Sequence, residues 1–445
     1  MKRQMILGMH LGNGHGATAD AWRMPGTDPR AYTSYDAKVK QAQAAERGKF
    51  QFLFLPDGPY TITGDLNHEP SGFNLDVMMT LAAVSRETKR IGMVATGSTT
   101  FNEAFNLARQ FKALDIMNHG RTGWNAVTSA SDDVAANYGQ RIPSSQERYK
   151  RAHEMIQIIQ ALWGSWGKDA WVTNQETGEY AKADQVAPIN LGGDYVASRG
   201  PLYIPPSEQG QPVIFHAGVA SPNSLDIAGR YASGFIGAAY TIDDARKQRA
   251  AFRNAVEKSG RNPDEFKFFA GLITSIANNK REALDRRIKL VGKTLDQRAG
   301  YLQHMLGVRL DMNDLDQPLS PDQLSQARAM GGDTRAIRAL EIAHEGWSVR
   351  DILAHGVIDY QPVVAGTVTE VADHMQEWFE AEACDGFWVI PDAYHDGLDD
   401  FVDGVVPILQ DRGLFHLDYE GTTLREHLGV PEQYGIDPRI MGVNS

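Results

Sequence analysis

Two kinds of pattern alternate along the chain. Dense apolar runs closed by glycine, proline or a polar cluster predict buried strands at residues 4–10, 50–55, 91–96, 124–127, 212–217, 234–240, 266–276 and 385–390. Stretches with apolar residues three or four apart predict helices at 35–47, 75–88, 106–117, from about 243 to 259, from about 280 onward and at 369–383. A last helix is marked by Leu398, Phe401, Val402, Val405 and Leu409. Ser144 and Glu147 have capping-box spacing ahead of an apolar face of Met155, Ile156, Ile159, Leu162 and Trp163. Ser221-Pro222 places an N-cap residue before a proline at the first helical position. Strand and helix alternate eight times with no internal repeat, which predicts an α/β fold, a (β/α)8 TIM barrel with insertions, over an open doubly wound sheet. The reading is one domain over residues 1–445, interrupted at 164–211, where Gly, Pro and polar residues break the rhythm, and at 291–360, which shows no strand pattern of its own.

Polar residues collect where these strands finish, the place where a barrel puts its chemistry. Asp57 follows 50–55, Thr96 ends 91–96, and Asn125 lies in the strand of GRTGWNAVTS. Ser221 opens a helix whose free N–H groups and positive dipole end suit a phosphate, although an ordinary helix cap is the plainer reading of the spacing alone. Composition then narrows the classes. With 42% hydrophobic and 22% charged residues the chain can bury a large core, and its net charge of −12 argues against nucleic-acid or anionic-membrane surfaces. No run is long enough for a membrane span. The sole cysteine, Cys384, allows no internal disulfide and fits a reducing, cytoplasmic setting. Thirteen histidines include no HExxH, no CxxC accompanies them, and no metal site is expected. Walker, GxSxG and GxGxxG motifs are absent. A glycosidase needs only two carboxylates, and Asp57, Glu69, Asp76 and Asp392 lie near strand ends.

Taken together, several blocks carry a resemblance. AERGKFQFLFLPDG, TGSTTFNEAFNLARQFKALD, GRTGWNAVTS, ERYKRAHEMIQIIQALWGSW, VASRGPLYIPPSEQGQPVIFHAG, VADHMQEWFEAEACDGFWVIP and VVPILQDRGLFHLDYEGTTLREHLG follow in this order. They resemble the bacterial-luciferase-like flavin monooxygenases, in the subgroup of nitrilotriacetate, EDTA, dibenzothiophene-sulfone and long-chain-alkane monooxygenases. The resemblance implies reduced FMN at the C-terminal strand ends, with Asp57, Thr96 and Asn125 near the ring and Ser145, Tyr149 and Ser221 toward the phosphate. Ser145 stands where the family usually has a histidine. HAGVAS replaces the family's QAGxS, so Ala220 or Ser221 takes the serine's place. Pro56 replaces an alanine, and Ala130 a histidine of the alkane enzymes.

The activity so implied is that of an FMNH2-dependent monooxygenase. A separate NAD(P)H:FMN reductase supplies FMNH2, O2 adds to give a C4a-hydroperoxide, and one oxygen atom enters a small organic substrate. A homo-oligomer is expected. His15 and His304 are the candidate proton donors or substrate contacts, and the insertion at 291–360 is expected to cover the mouth. Rival readings are a deazaflavin-dependent oxidoreductase on the same barrel, a TIM-barrel glycoside hydrolase, and a non-catalytic flavin-binding protein.

Overall fold

The computed structural model describes residues 3–61, 65–67, 70 and 75–438; Glu69 lies outside them. Each predicted strand forms and takes a place in one ring: β1 (Ile6–His10), β2 (Phe52–Leu55), β3 (Gly92–Ser98), β4 (Thr122–Val127), β5 (Val213–Gly218), β6 (Gly234–Gly237), β7 (Lys267–Ile276) and β8 (Gly386–Pro391). Neighbours pair in parallel in chain order, and β1 closes the ring on β8 with Ile6 opposite Gly386. This is the closed barrel expected. Around it lie α1 (Tyr35–Arg47), α2 (Val77–Arg86), α3 (Ala104–Met117), α4 (Ser145–Trp163), α5 (Pro222–Tyr231), α6 (Ile242–Lys258) and α7 (Val368–Glu380), before the helical run that follows β8.

The strands read as unbroken apolar runs because both faces are covered. In β2, Phe52 and Phe54 point into the barrel, where they join Val94, Phe215, Phe269 and Trp388. Leu53 and Leu55 point out, into the layer shared with the helices. The barrel floor is plugged by Leu424 and Leu428 of the short helix Leu424–Leu428. Glycines make room for this plug, since a Cβ on Gly92 would sit 2.6 Å from a Leu424 methyl.

The segment 164–211 carries two short antiparallel hairpins, Trp171–Asn174 with Glu179–Ala181 and Leu191–Gly192 with Ala197–Ser198, which are too brief to show as strand patterns. After β7 a helical region runs from Lys280–Val291 to Val349–Ala354, with its own core of residues such as Leu302, Leu306, Ile342 and Ile352. The chain returns from it through a strand, Val363–Gly366, that the pattern did not predict. β6 pairs with β7 only as far as Ala270, and the returning strand takes the vacant side of β7 from Ile273 to Ile276. The helical region is thereby stitched into the rim. Among the described residues no helix is long and apolar enough to cross a membrane, and no group of three or more His, Cys, Asp or Glu could hold a metal.

Candidate active site

The C-terminal strand ends surround a cavity of about 470 Å3. Asp57, Thr96 and Asn125 all line it. Strand alternation explains the last two: Trp124 faces the helices, so Asn125 turns inward, and Ala95 faces outward, so Thr96 turns in beside it. Asn125 Nδ2 donates to Thr96 Oγ1 at 2.9 Å, and both residues are buried. Asn125 Oδ1 is buried with no hydrogen-bond partner among the described residues. A buried acceptor left unpaired costs about 1–3 kcal/mol, so this atom is prepared for a donor on a ligand. Asp57 stands at the rim. Burial first, and the charge of Asp76 second, hold its carboxyl above the usual carboxylate range.

Farther out, two helix N-termini lie side by side. His153 Nδ1 and Gln157 Nε2 of α4 each lie 3.0 Å from the Tyr231 hydroxyl of α5, and His153 Nε2 lies 3.1 Å from Asp226 Oδ2. One turn nearer the mouth on each helix come Tyr149 and Pro222, with Ser221 just before it. Ser221, rather than Ala220, is the N-cap, its hydroxyl accepting from Ser224 N at 3.2 Å. The Ser144–Glu147 capping box also forms, leaving Ser145 exposed as the first residue of α4. Arg148 Nε and Ser224 Oγ are buried without partners among the described residues. A cation, an orphan hydroxyl and two helix dipole ends fit an anionic group, as the apolar barrel mouth with Asn125 Oδ1 fits a flat ring bearing N–H groups. These residues suit FMN.

The histidines are placed elsewhere. His15 is buried in the loop after β1, its Nε2 3.3 Å from the Pro29 carbonyl, and it is not among the residues lining the cavity. His304 is exposed on the helix Leu295–Leu306 and does not line the cavity either. The inward histidine is His10, 2.9 Å from the Tyr394 hydroxyl and edge-on to Trp388 with centroids 5.2 Å apart. Burial and then Lys38 push its pKa down to about 3, so it is neutral at physiological pH. Of the described carboxylates in the glycosidase reading, Asp76 caps α2 near enough to act on Asp57, and Asp392 is buried under an ion pair with Arg286. Sequence reading missed Trp388 and Gln361 in the lining. Trp388 sits in the unbroken apolar run GFWVI, which does not show which residues face inward, and Gln361 follows no pattern.

Fold and site together define a (β/α)8 barrel enzyme with a ligand cavity at the C-terminal ends of its strands. Residues 9–383 match the luciferase-like monooxygenase family, and the chain belongs to that family. It is similar to N-acetyl-S-(2-succino)cysteine monooxygenase of Bacillus subtilis (strain 168), 34% identical over 437 residues that cover 96% of this chain and 97% of that protein. Nitrilotriacetate monooxygenase component A of Aminobacter aminovorans is 32% identical over 442 residues, 96% of this chain and 94% of its own. Among solved structures, EDTA monooxygenase from Chelativorans sp. BNC1 superposes with a TM-score of 0.83 at 28% identity, covering 98% of this chain and 100% of that one. The protein is therefore an enzyme of the flavin-dependent monooxygenase class, in the expected subgroup. The glycoside-hydrolase reading falls with this assignment.

Proposed function

We propose that this chain is the oxygenase of a two-component system, binding FMNH2 made by a separate NAD(P)H:FMN reductase and placing one atom of O2 into a small organic substrate. The observation that carries this reading is the pairing of the buried, unpartnered Asn125 Oδ1 beside Thr96 with the two helix N-termini that flank Tyr149 and Ser221. When bound, the reduced flavin would supply the electrons and the oxygen-activating carbon. The balance is substrate C–H (or a sulfur or nitrogen lone pair) plus O2 plus FMNH2 to oxygenated substrate, FMN and water. The protein's own part is positional. Asn125 and Thr96 would orient the ring, Asp57 would sit at its rim, and Tyr149, Ser145, Arg148 and Ser221 would hold the phosphate. The apolar wall of Phe54, Val127, Ile236 and Trp388 keeps water from the reacting atoms. The helical region after β7 would complete that exclusion as a cover.

The test is a substrate screen with and without an added, unrelated FMN reductase. With NADH, NADPH and FMN alone, turnover should be negligible. Adding reductase should start product formation, because FMNH2 diffuses between the enzymes. One atom of labelled O2 should appear in product and the other in water. Direct NAD(P)H oxidation by this protein, or product under strict anaerobiosis, would overturn the reading. A deazaflavin enzyme would instead retain a deazaflavin and transfer hydride without O2.

A further inference from the structure

Gln361 and Trp388 stand across the cavity from Asn125. In the ring β8 is four places from β4, so the two walls face each other over the mouth. Gln361 comes from the segment that returns out of the helical region, two residues before the strand Val363–Gly366. Its side chain lies over Gly271 of β7, where an added Cβ would be only 2.1 Å from Gln361 Oε1; a glycine is needed there. Gly271 is the register partner of Trp388 on β8, so the Gln361 amide lying over Gly271 shares the inner face of the barrel with the Trp388 side chain.

Gln361 is 8% exposed and Trp388 6%. Even so, Gln361 Oε1 and Trp388 Nε1 have no hydrogen-bond partner among the described residues, and they do not bond each other. Interiors seldom leave polar atoms in that state. One bare acceptor beside one bare donor is the complement of a group that presents an N–H next to a C=O.

Charge narrows the ligand further. Asp57 is the one charged residue among the described residues lining the cavity. The loops leaving β2, β3, β5 and β6, at residues 56–76, 99–103, 219–221 and 238–241, hold no Lys or Arg, and the loop leaving β4, at 128–144, holds the exposed Arg141 alone, while Asp57, Asp76, Asp132 and Asp133 are among the acids there. In the helical region, Arg287 and Arg298 share the Asp359 carboxylate at 2.7 and 3.0 Å, and neither lines the cavity. A carboxylate-rich substrate would find acids around it and no cation waiting in the cavity wall.

We propose that the Gln361–Trp388 wall is the substrate subsite and that it takes an uncharged molecule with an amide edge, such as a secondary amide, lactam or ureide, rather than a polycarboxylate. The proposal rests on the flavin monooxygenase reading, with the flavin on the Asn125 side. The amide N–H donates to Gln361 Oε1 and its carbonyl accepts from Trp388 Nε1. The apolar remainder fills the space beside Phe54 and Ile236.

The experiment loads the protein with FMN and titrates it by calorimetry with N-methylbenzamide and with sodium benzoate, probes of similar size and shape. The amide should bind, and benzoate should bind at least about tenfold more weakly. Gln361→Leu and Trp388→Phe should each weaken the amide by roughly three- to tenfold, as expected for one lost hydrogen bond, with FMN affinity and the circular-dichroism melt retained. Benzoate binding as tightly as the amide, no amide binding to the FMN-loaded parent, or undiminished amide binding in both variants overturns the subsite. Loss of FMN affinity in the variants, with amide binding kept, overturns it too and assigns this wall to the flavin. If the parent binds neither FMN nor, under anaerobic conditions, FMNH2, the flavin reading itself fails, and this one with it.

Discussion

The wall of the mouth built by β3 and β4 and the wall built by β7 and β8 are held by different forces. On the first, neighbouring strand ends are knitted by neutral hydrogen bonds over short sequence separations. Ser129 Oγ donates to Ser98 Oγ at 2.8 Å, Thr99 Oγ1 to the Val127 carbonyl at 3.0 Å, and Thr100 Oγ1 to the Thr128 carbonyl at 3.1 Å. On the second, charged groups distant in the chain are buried against one another. Arg286 reaches Asp392 at 2.8 Å and Asp396 at 2.7 Å, Ser275 Oγ donates to Asp392 Oδ2 at 2.6 Å, and Arg287 with Arg298 holds Asp359 beside Gln361. A neutral hydrogen bond contributes about 1 kcal/mol net, and its loss is borne locally. A buried ion pair contributes little net stability, yet removing one partner strands a charge. The first wall should tolerate substitution; the second should fail abruptly.

The sharpest way to break this contrast is Arg286→Ala. It leaves Asp392, whose side chain is 0% exposed, without its counter-ion and should cost about 3–5 kcal/mol in urea denaturation. Thr100→Val, its counterpart on the first wall, should cost about 1 kcal/mol. Equal losses would dissolve the distinction. Next comes Leu424→Ala at the floor beneath both walls, where a cavity in the barrel core should cost about 2–5 kcal/mol; a melt within error of the parent would show that the plug is dispensable.

Smaller effects concern binding at the end of the mouth where α4 and α5 begin. Ser221→Ala and Tyr149→Phe should each weaken FMNH2 by about 1.5–3 kcal/mol while weakening reduced riboflavin less, since riboflavin has no phosphate. Equal weakening of both flavins in anaerobic titrations would remove these residues from the phosphate.

The smallest effect is a pH dependence. Burial works to raise the pKa of Asp396, but hydrogen bonds and charge from Arg286 outweigh it and hold the carboxyl below its ordinary value. A folded-state pKa below the unfolded one gives stability that is present above the unfolded value, roughly 3.9, and is lost as pH falls through the folded value. Asp396 is 35% exposed at the side chain, so solvent screening keeps the contribution small. Melts of the parent and Asp396→Asn at pH 7 and pH 3 should show the parent losing slightly more on acidification. A larger loss in the variant would reverse the sign.

The eight barrel strands, the Ser144 capping box, the Ser221 cap and the polar strand-end positions of Thr96 and Asn125 were legible in the residues, because each follows from local pattern: apolar runs closed by polar residues, and side-chain spacing. His15 and His304 could not be placed in that way. A histidine in a loop or on an amphipathic helix has no local rule for its direction, and here one is buried against Pro29 and the other exposed. Glycines carry some tertiary information, yet Gly271 discloses the side chain over it only once Gln361 is seen there.

By itself, then, the sequence determined the barrel and the strand-end positions toward which a flavin family's motifs point, since apolar runs and the 3.6-residue helical spacing are local. Tertiary structure alone decided the opposite wall. The strand Val363–Gly366, the Asp359 ion pairs and the placing of Gln361 beside Trp388 depend on how a helical region folds back over about ninety residues onto the end of β7. Contacts closed over so long a loop leave no short-range periodicity in the chain.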